Sequence, residues 1–245
     1  MTQLNMVKAG HLGGYIQGGD PGSWCPHLWT WMVKELGIQS VLDVGCGEGH
    51  STRFFQELGC DVLGVDGCEQ AVADSVIPGF TVLHDFARGP FRPEKSYDLI
   101  WSCEFLEHVE RQYVPNILNT FAVARTILLT HAFPGQRGHH HVNCRPSSYW
   151  IGLLEKAGFD CNVAMSLKAR RVTLADSGNI NHFARSGLVF QKRAANTSEN
   201  LFSRIISHIR TRAKAWRINA GFRWSGLCRQ HRRRWKALKR QRNEG

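Results

Sequence analysis

At 245 residues with 42% hydrophobic side chains, the chain has length for one sizeable domain plus an appendage and ample material for a core. Its eight cysteines (25, 46, 60, 68, 103, 144, 161 and 228) form no C-x-x-C pair and no regular framework, which excludes a zinc ribbon and a disulfide scaffold and fits a reducing compartment. The net charge of +11 is unevenly held: fourteen of the 31 Lys and Arg but only one of the 20 acids lie from Asn200 onward, a net +13 there against −2 for the rest.

The amino terminus lacks the apolar core of a signal peptide, and no run approaches the roughly eighteen apolar residues of a membrane span, so a cytoplasmic protein without a transmembrane segment is expected. Residues 1–23 form a first unit, in which Gly10 to Gly22 is too rich in glycine for regular structure. Pro26 to Leu36 then carries aromatic and apolar residues at helical spacing. Val41 to Val44 reads as a buried strand, and Gly45, Gly47 and Gly49 interrupt it until Ser51 and Thr52 can cap a helix running to Leu58. Glycines there let the backbone take φ > 0 and bring its N–H groups against a ligand. The spacing is not the dinucleotide G-x-G-x-x-G, because His50 stands where the third glycine would fall. Asp43, at the end of the strand, would repel a pyrophosphate and suits a ligand that carries an ammonium group.

The run Leu42-Asp43-Val44-Gly45-Cys46-Gly47-Glu48-Gly49 resembles the first loop of the class I S-adenosylmethionine-dependent methyltransferases. The resemblance covers about residues 24–193 and implies S-adenosyl-L-methionine as cofactor. It places Gly45, Cys46, Gly47 and Gly49 around the amino-acid moiety, beside Asp43. In that family an amino-terminal segment often folds over the cofactor, which makes Tyr15 and Gln17 lid candidates.

Asp61 to Asp66 is the second strand, closing twenty-one residues after Gly45 on an acid placed to accept hydrogen bonds from both ribose hydroxyls. Phe80 to Phe86 is the third, and the resemblance puts Asp85 against the adenine amino group, with Gly67, Phe86 and Cys103 completing the cofactor wall. Tyr97 to Ser102 and Arg125 to Thr130 are the fourth and fifth strands; a helix from Ser147 to Ala157 precedes two further strand-like runs, Phe159 to Met165 and Gly187 to Gln191. Strand and helix alternate five times before the closing pair, the signal for an α/β fold with a doubly wound, Rossmann-like sheet. The resemblance implies seven strands with the last antiparallel.

After the fourth strand comes Glu104-x-x-Glu107-His108, which a helix starting near Cys103 would gather on one side. Two carboxylates and an imidazole that close invite a positive charge between them, and a divalent cation would supply it. His131 and the triplet His139-His140-His141 belong to segments expected to point into the same crevice. The pattern is similar to that of the ubiquinone-pathway O-methyltransferases and the small-RNA 2′-O-methyltransferases, which hold Mg2+ or a similar ion. It implies Glu104, Glu107, His108 and His140 as ligands; Glu104, His108 and His141 are the candidate catalytic groups, and without metal His108 or a histidine of the triplet is the general base. The expected reaction is O-methylation of a small molecule or sugar; the alternatives are an RNA-directed enzyme and a non-catalytic cofactor-binding scaffold.

Residues 194–200 turn polar and small, marking a linker. In residues 201–245 an apolar stripe (Leu201, Ile205, Ile209) gives way to arginines interleaved with Trp216, Phe222, Trp224 and Trp235. Such a tail suits nucleic-acid phosphates, an anionic membrane surface, or docking on the catalytic domain as a helix. The charge asymmetry favours a separable targeting segment.

Overall fold

The computed structural model describes residues 10–12, 14–176, 181–194 and 211–220. The linker residues 195–200, the stripe at 201–209, and Phe222, Trp224 and Trp235 lie outside the described residues.

Seven strands make one sheet: β1 (Ser40–Val44), β2 (Asp61–Asp66), β3 (Thr81–Leu83), β4 (Tyr97–Ser102), β5 (Ala124–Leu129), β6 (Phe159–Cys161) and β7 (Leu188–Lys192). Their order is β3-β2-β1-β4-β5-β7-β6; the first five are parallel, and β7 runs antiparallel to both β5 and β6. The helices are α1 (Pro26–Leu36), α2 (His50–Glu57), α3 (Glu69–Ala73), α4 (Val114–Phe121), α5 (Ser147–Lys156), α6 (Val163–Val172) and α7 (His182–Ser186), and residues 211–220 form an eighth, α8.

Both faces of the sheet are covered, which is why its inner strands read as continuous apolar runs. The period of two sorts them: Leu42, Ile100, Ile127 and Phe190 join one core with Trp150 and Phe121, whereas Val41, Leu99, Leu128 and Val189 join the other with Trp29, Phe55 and Phe183. The second core is tied together by aromatic rings, with Trp101 stacked on Phe183 at 5.5 Å and edge-on to Trp29 at 5.7 Å. Chain order reverses between β1 and β4, so the crevice above their carboxyl ends is the place where such sheets take a ligand.

Four local expectations change. Ser51 and Thr52 do not cap α2, whose N-cap is Gly49 in the left-handed region; their hydroxyls turn back to Asp43 instead. The third strand is only Thr81–Leu83, so Asp85 and Phe86 lie in the following turn. No helix starts at Cys103: Glu104 takes φ 50°, which a helix cannot continue through, and a single 3-10 turn follows at Leu106–His108. The run from Phe159 to Met165 leaves the sheet after Cys161, because the Asn162 side chain accepts from the Met165 N–H and starts α6.

The ten described tail residues are docked. Ile218 (0% exposed) and Ala215 complete the core that also contains Trp150 and Leu154. Glu155 of α5, itself buried, accepts from the Thr211 hydroxyl and pairs with Lys214. Residues 211–220 therefore pack against α5 through their apolar face.

Candidate functional site

A cavity of about 890 Å³ opens above the carboxyl ends of β1, β2 and β4. Its floor is the glycine turn after β1. Gly45 has φ 78°, and the Phe105 ring lies so close that a Cβ would come within 2.5 Å of it; only glycine lets the turn pass beneath the ring. Gly47 (φ 55°) donates its N–H to Asp66 Oδ2 at 2.7 Å, and Cys68 donates to Oδ1 at 2.8 Å. Asp66 thus holds the turn in shape while lining the cavity. Burial pushes its carboxyl above the usual range, against the pull of these amides. Gly49 does not line the cavity: it faces Ile77, where a Cβ would lie 2.9 Å from the side chain, so its part is to start α2.

Asp43 is 1% exposed and accepts from Ser51 Oγ (2.5 Å) and Thr52 Oγ1 (2.8 Å). Burial raises it to about 6 in spite of both hydroxyls. The sign follows for an ammonium-bearing ligand, which favours the carboxylate. Binding at a pH below about 6 must expel a proton, and affinity should fall roughly tenfold per pH unit there. The ligand-free fold behaves oppositely: a carboxyl raised from 3.8 to about 6 favours folding at low pH and loses that contribution as pH rises through 6. Titrating S-adenosylhomocysteine by calorimetry from pH 5 to 8 checks the first statement, and a flat profile would contradict it.

The remaining sequence candidates divide. Cys46, Gly67, Asp85, Phe86 and Cys103 line the cavity, as does Tyr15 of the amino-terminal strap; Gln17 does not and is exposed. Asp85 is approached by His11 Nε2 at 3.4 Å. Strap residue Gly18 donates its N–H to Glu48 Oε2 at 2.9 Å, and Glu48 also faces His50 Nε2 at 3.1 Å.

At the other end the cavity meets the acid and histidine cluster. Glu104 lines it; its N–H donates to Thr130 Oγ1 (2.7 Å), that hydroxyl donates back to Oε1 (3.0 Å), and Oε2 faces His182 Nδ1 at 3.2 Å. Glu107 is 0% exposed and both its carboxylate oxygens lack a hydrogen-bond partner among the described residues. Burial and the charge of Glu104 raise its pKa. The Glu107 carbonyl accepts from the Val142 and Asn143 amides at 3.0 Å each, which pins the histidine loop against this turn. Ligand atoms of Glu107, His108 and His141 fall within 4.8 Å of one another, and the His108 and His141 rings meet edge to face at 5.0 Å. Burial and the neighbouring histidines lower His108 to about 4, so its ring is neutral at pH 7. His140 and Glu104 are not in this group. His131 faces away from the crevice: it is 1% exposed, its Nε2 meets Ser147 Oγ at 3.0 Å, and burial depresses it to about 3.

Sequence reasoning passed over Asp20, His182 and Thr130, all of which surround the cavity or its acids. A lone polar residue in a loop or at a helix start carries no spacing signal, so nothing in the sequence singled them out.

Residues 42–122 match the family model described as a methyltransferase domain. The chain is 34% identical over 108 residues to a probable chloroplastic tocopherol O-methyltransferase of Oryza sativa subsp. japonica, an overlap of 38% of this chain and 29% of that protein. It therefore spans less than a third of the curated relative it matches. Among solved structures, the plantazolicin methyltransferase BpumL in complex with a pentazolic desmethylPZN analog and SAH superposes with TM-score 0.50 at 13% identity, over 69% of this chain and 83% of that one. The magnesium protoporphyrin IX methyltransferase ChlM of Synechocystis PCC 6803 with bound SAM gives TM-score 0.47 at 18% identity, over 69% and 76%. With the glycine turn, the acid ending β2 and the seven-stranded sheet with its antiparallel β7, the chain has the Rossmann-like fold of the S-adenosylmethionine-dependent methyltransferases, and residues 42–122 are similar to the methyltransferase-domain family.

Proposed function

We propose that this chain binds S-adenosylmethionine in the cavity and transfers its methyl group to a hydroxyl oxygen of a small-molecule or sugar acceptor. The observation that carries the reading is continuity: one cavity is lined at one end by Gly45, Gly47, Asp43 and Asp66 and at the other by Glu104, His108 and His141. The acceptor oxygen attacks the methyl carbon, the bond to the sulfonium breaks with its electron pair returning to sulfur, and the hydroxyl proton needs a base. Without an ion that base is His108, whose ring is neutral and whose Nδ1 has no hydrogen-bond partner among the described residues. The matched domain family and the O-methylating relative support the reaction class.

The donor set also fits a divalent cation. Glu107 holds two buried oxygens without partners beside His108 and His141, an arrangement that an ion would satisfy. Two imidazoles and a carboxylate suit a borderline ion at least as well as Mg2+. Such an ion, held by Glu107, His108 and His141, would lower the pKa of the acceptor hydroxyl. Glu104 is already engaged by Thr130 and His182 and stays outside the ligand set.

The test is transfer of labelled methyl to pools of phenols, catechols and sugars, with and without chelator. Loss of 10²-fold or more in Glu107→Gln together with chelator sensitivity is expected, on the order of what one ligand of a metal-assisted step contributes. Activity indifferent to both removes the ion and leaves His108 alone. A nucleic-acid acceptor is a second reading, favoured by the exposed face of α8, where Trp216 (71% exposed) sits beside Arg212 and Arg217. It requires RNA binding that weakens steeply with salt.

A further inference from the structure

The start of α7 grips the amino-terminal strap through several contacts that the reaction chemistry above does not use. His182 Nε2 faces Asp20 Oδ2 at 2.9 Å, and its Nδ1 faces Glu104 Oε2 at 3.2 Å. Both ring nitrogens point at carboxylate oxygens, which can only accept, so both must carry protons to satisfy the pair. The His182 backbone N–H donates to the Gly22 carbonyl at 2.9 Å, and a Cβ on Gly22 would lie 2.5 Å from Nε2, so the strap passes the ring with no side chain between them. Asp20 is fixed from its own side by the Gly22 N–H (2.9 Å) and the Ser23 hydroxyl (3.0 Å). Next door, the Asn181 side chain starts α7 by accepting from Ala184 N–H and donates to the Trp24 carbonyl at 3.3 Å.

The two ends of this bridge do different things. Asp20 belongs to the strap that walls one side of the cofactor cavity. Glu104 stands at the reaction end in the left-handed region (φ 50°), a conformation a non-glycine residue keeps only when its surroundings hold it there. Thr130 secures Glu104 Oε1 and the Glu104 N–H, and the imidazole secures Oε2.

We propose that His182 is a positioning residue that joins closure of the amino-terminal strap to the placement of Glu104, so that the cofactor wall and the reaction end are set together. The link to the cofactor rests on the function proposed above; the mechanical link between strap and Glu104 does not.

Hydrogen exchange on the full, ligand-free chain, followed by mass spectrometry, reads residues 14–23 and 102–110 separately and so tests the clasp without any cofactor. His182→Ala should speed exchange in both segments by about tenfold, the loss of one charge-assisted hydrogen bond at each end. A glutamine amide reaches near the Nε2 position and an asparagine amide near Nδ1, so His182→Gln should loosen the second segment most and the strap less, with His182→Asn doing the reverse. Equal loosening in all three variants means a merely structural helix start and overturns the proposal, as does no change in His182→Ala. Should His182→Ala not fold, Asp20→Asn replaces it: faster exchange in both segments supports the clasp, and a change confined to the strap overturns it. S-adenosylhomocysteine titration then reads the cofactor link, with Kd in His182→Asn and Asp20→Asn expected to rise several-fold while His182→Gln stays near wild type. Unchanged Kd in the first two overturns the link. If the wild type itself binds no S-adenosylhomocysteine, the cofactor reading fails, and the exchange data still decide the clasp.

Discussion

Asp66→Ala should abolish measurable S-adenosylhomocysteine binding at concentrations that saturate the wild type. The carboxylate has two jobs in one place. It faces the cavity, where the proposed function makes it the acceptor for ribose hydroxyls, and it accepts the Gly47 and Cys68 amides that hold the glycine turn. Hydrogen bonds to a charged acceptor contribute about 1.5–3 kcal/mol each, so losing the ribose contacts alone weakens binding by roughly 10² or more. Release of the Gly47 amide adds to that. Asp66→Asn separates the jobs: a side-chain carbonyl can still accept from Gly47, so the turn survives and a smaller loss is expected. Calorimetric titration of both variants, with thermal melts to confirm folding, decides it; wild-type affinity in Asp66→Ala would place the ribose elsewhere.

Ile218→Asp should lower stability by about 3 kcal/mol or more, the scale of placing an unpaired charge where a fully buried aliphatic side chain stood. For a domain of this size that is a fall in Tm of roughly 6–12 °C. The reason is the docking of α8: Ile218 and Ala215 enter the same core as Trp150 and Leu154, and buried Glu155 depends on Thr211 and Lys214 for its partners. Truncation after residue 194 should produce a similar fall, since it strips Glu155 and opens that core. Differential scanning calorimetry measures both. An unchanged Tm in the truncated chain would mean that the tail is separable after all, the arrangement its +13 charge suggested.

The two expectations differ in how visible they were. The place of Asp66 at the end of β2, above the cavity, was legible because a glycine turn followed about twenty residues later by an acid at a strand end is a local pattern. Charge, in contrast, pointed away from docking. Arg212 and Arg217 do lie on the exposed face of α8, but the residues that fix the helix to the domain are Thr211, Ala215 and Ile218, which no charge count notices.

By itself the sequence determined the alternation of strand and helix, the glycine turn and the acids at the ends of β1 and β2, since each follows from spacing within a few residues. The tertiary structure decided what depends on contacts between distant segments. Glu104 lies off any helix because Thr130, 26 residues away, holds its N–H and carboxylate. His141 joins Glu107 and His108 while His140 does not, because the Glu107 carbonyl pins the loop at Val142 and Asn143 and so fixes which histidine turns inward. Asp20 and His182, 162 positions apart in the numbering, meet only because the strap folds back across the sheet to α7, and a contact of that range leaves no periodicity in the sequence for a local reading to find.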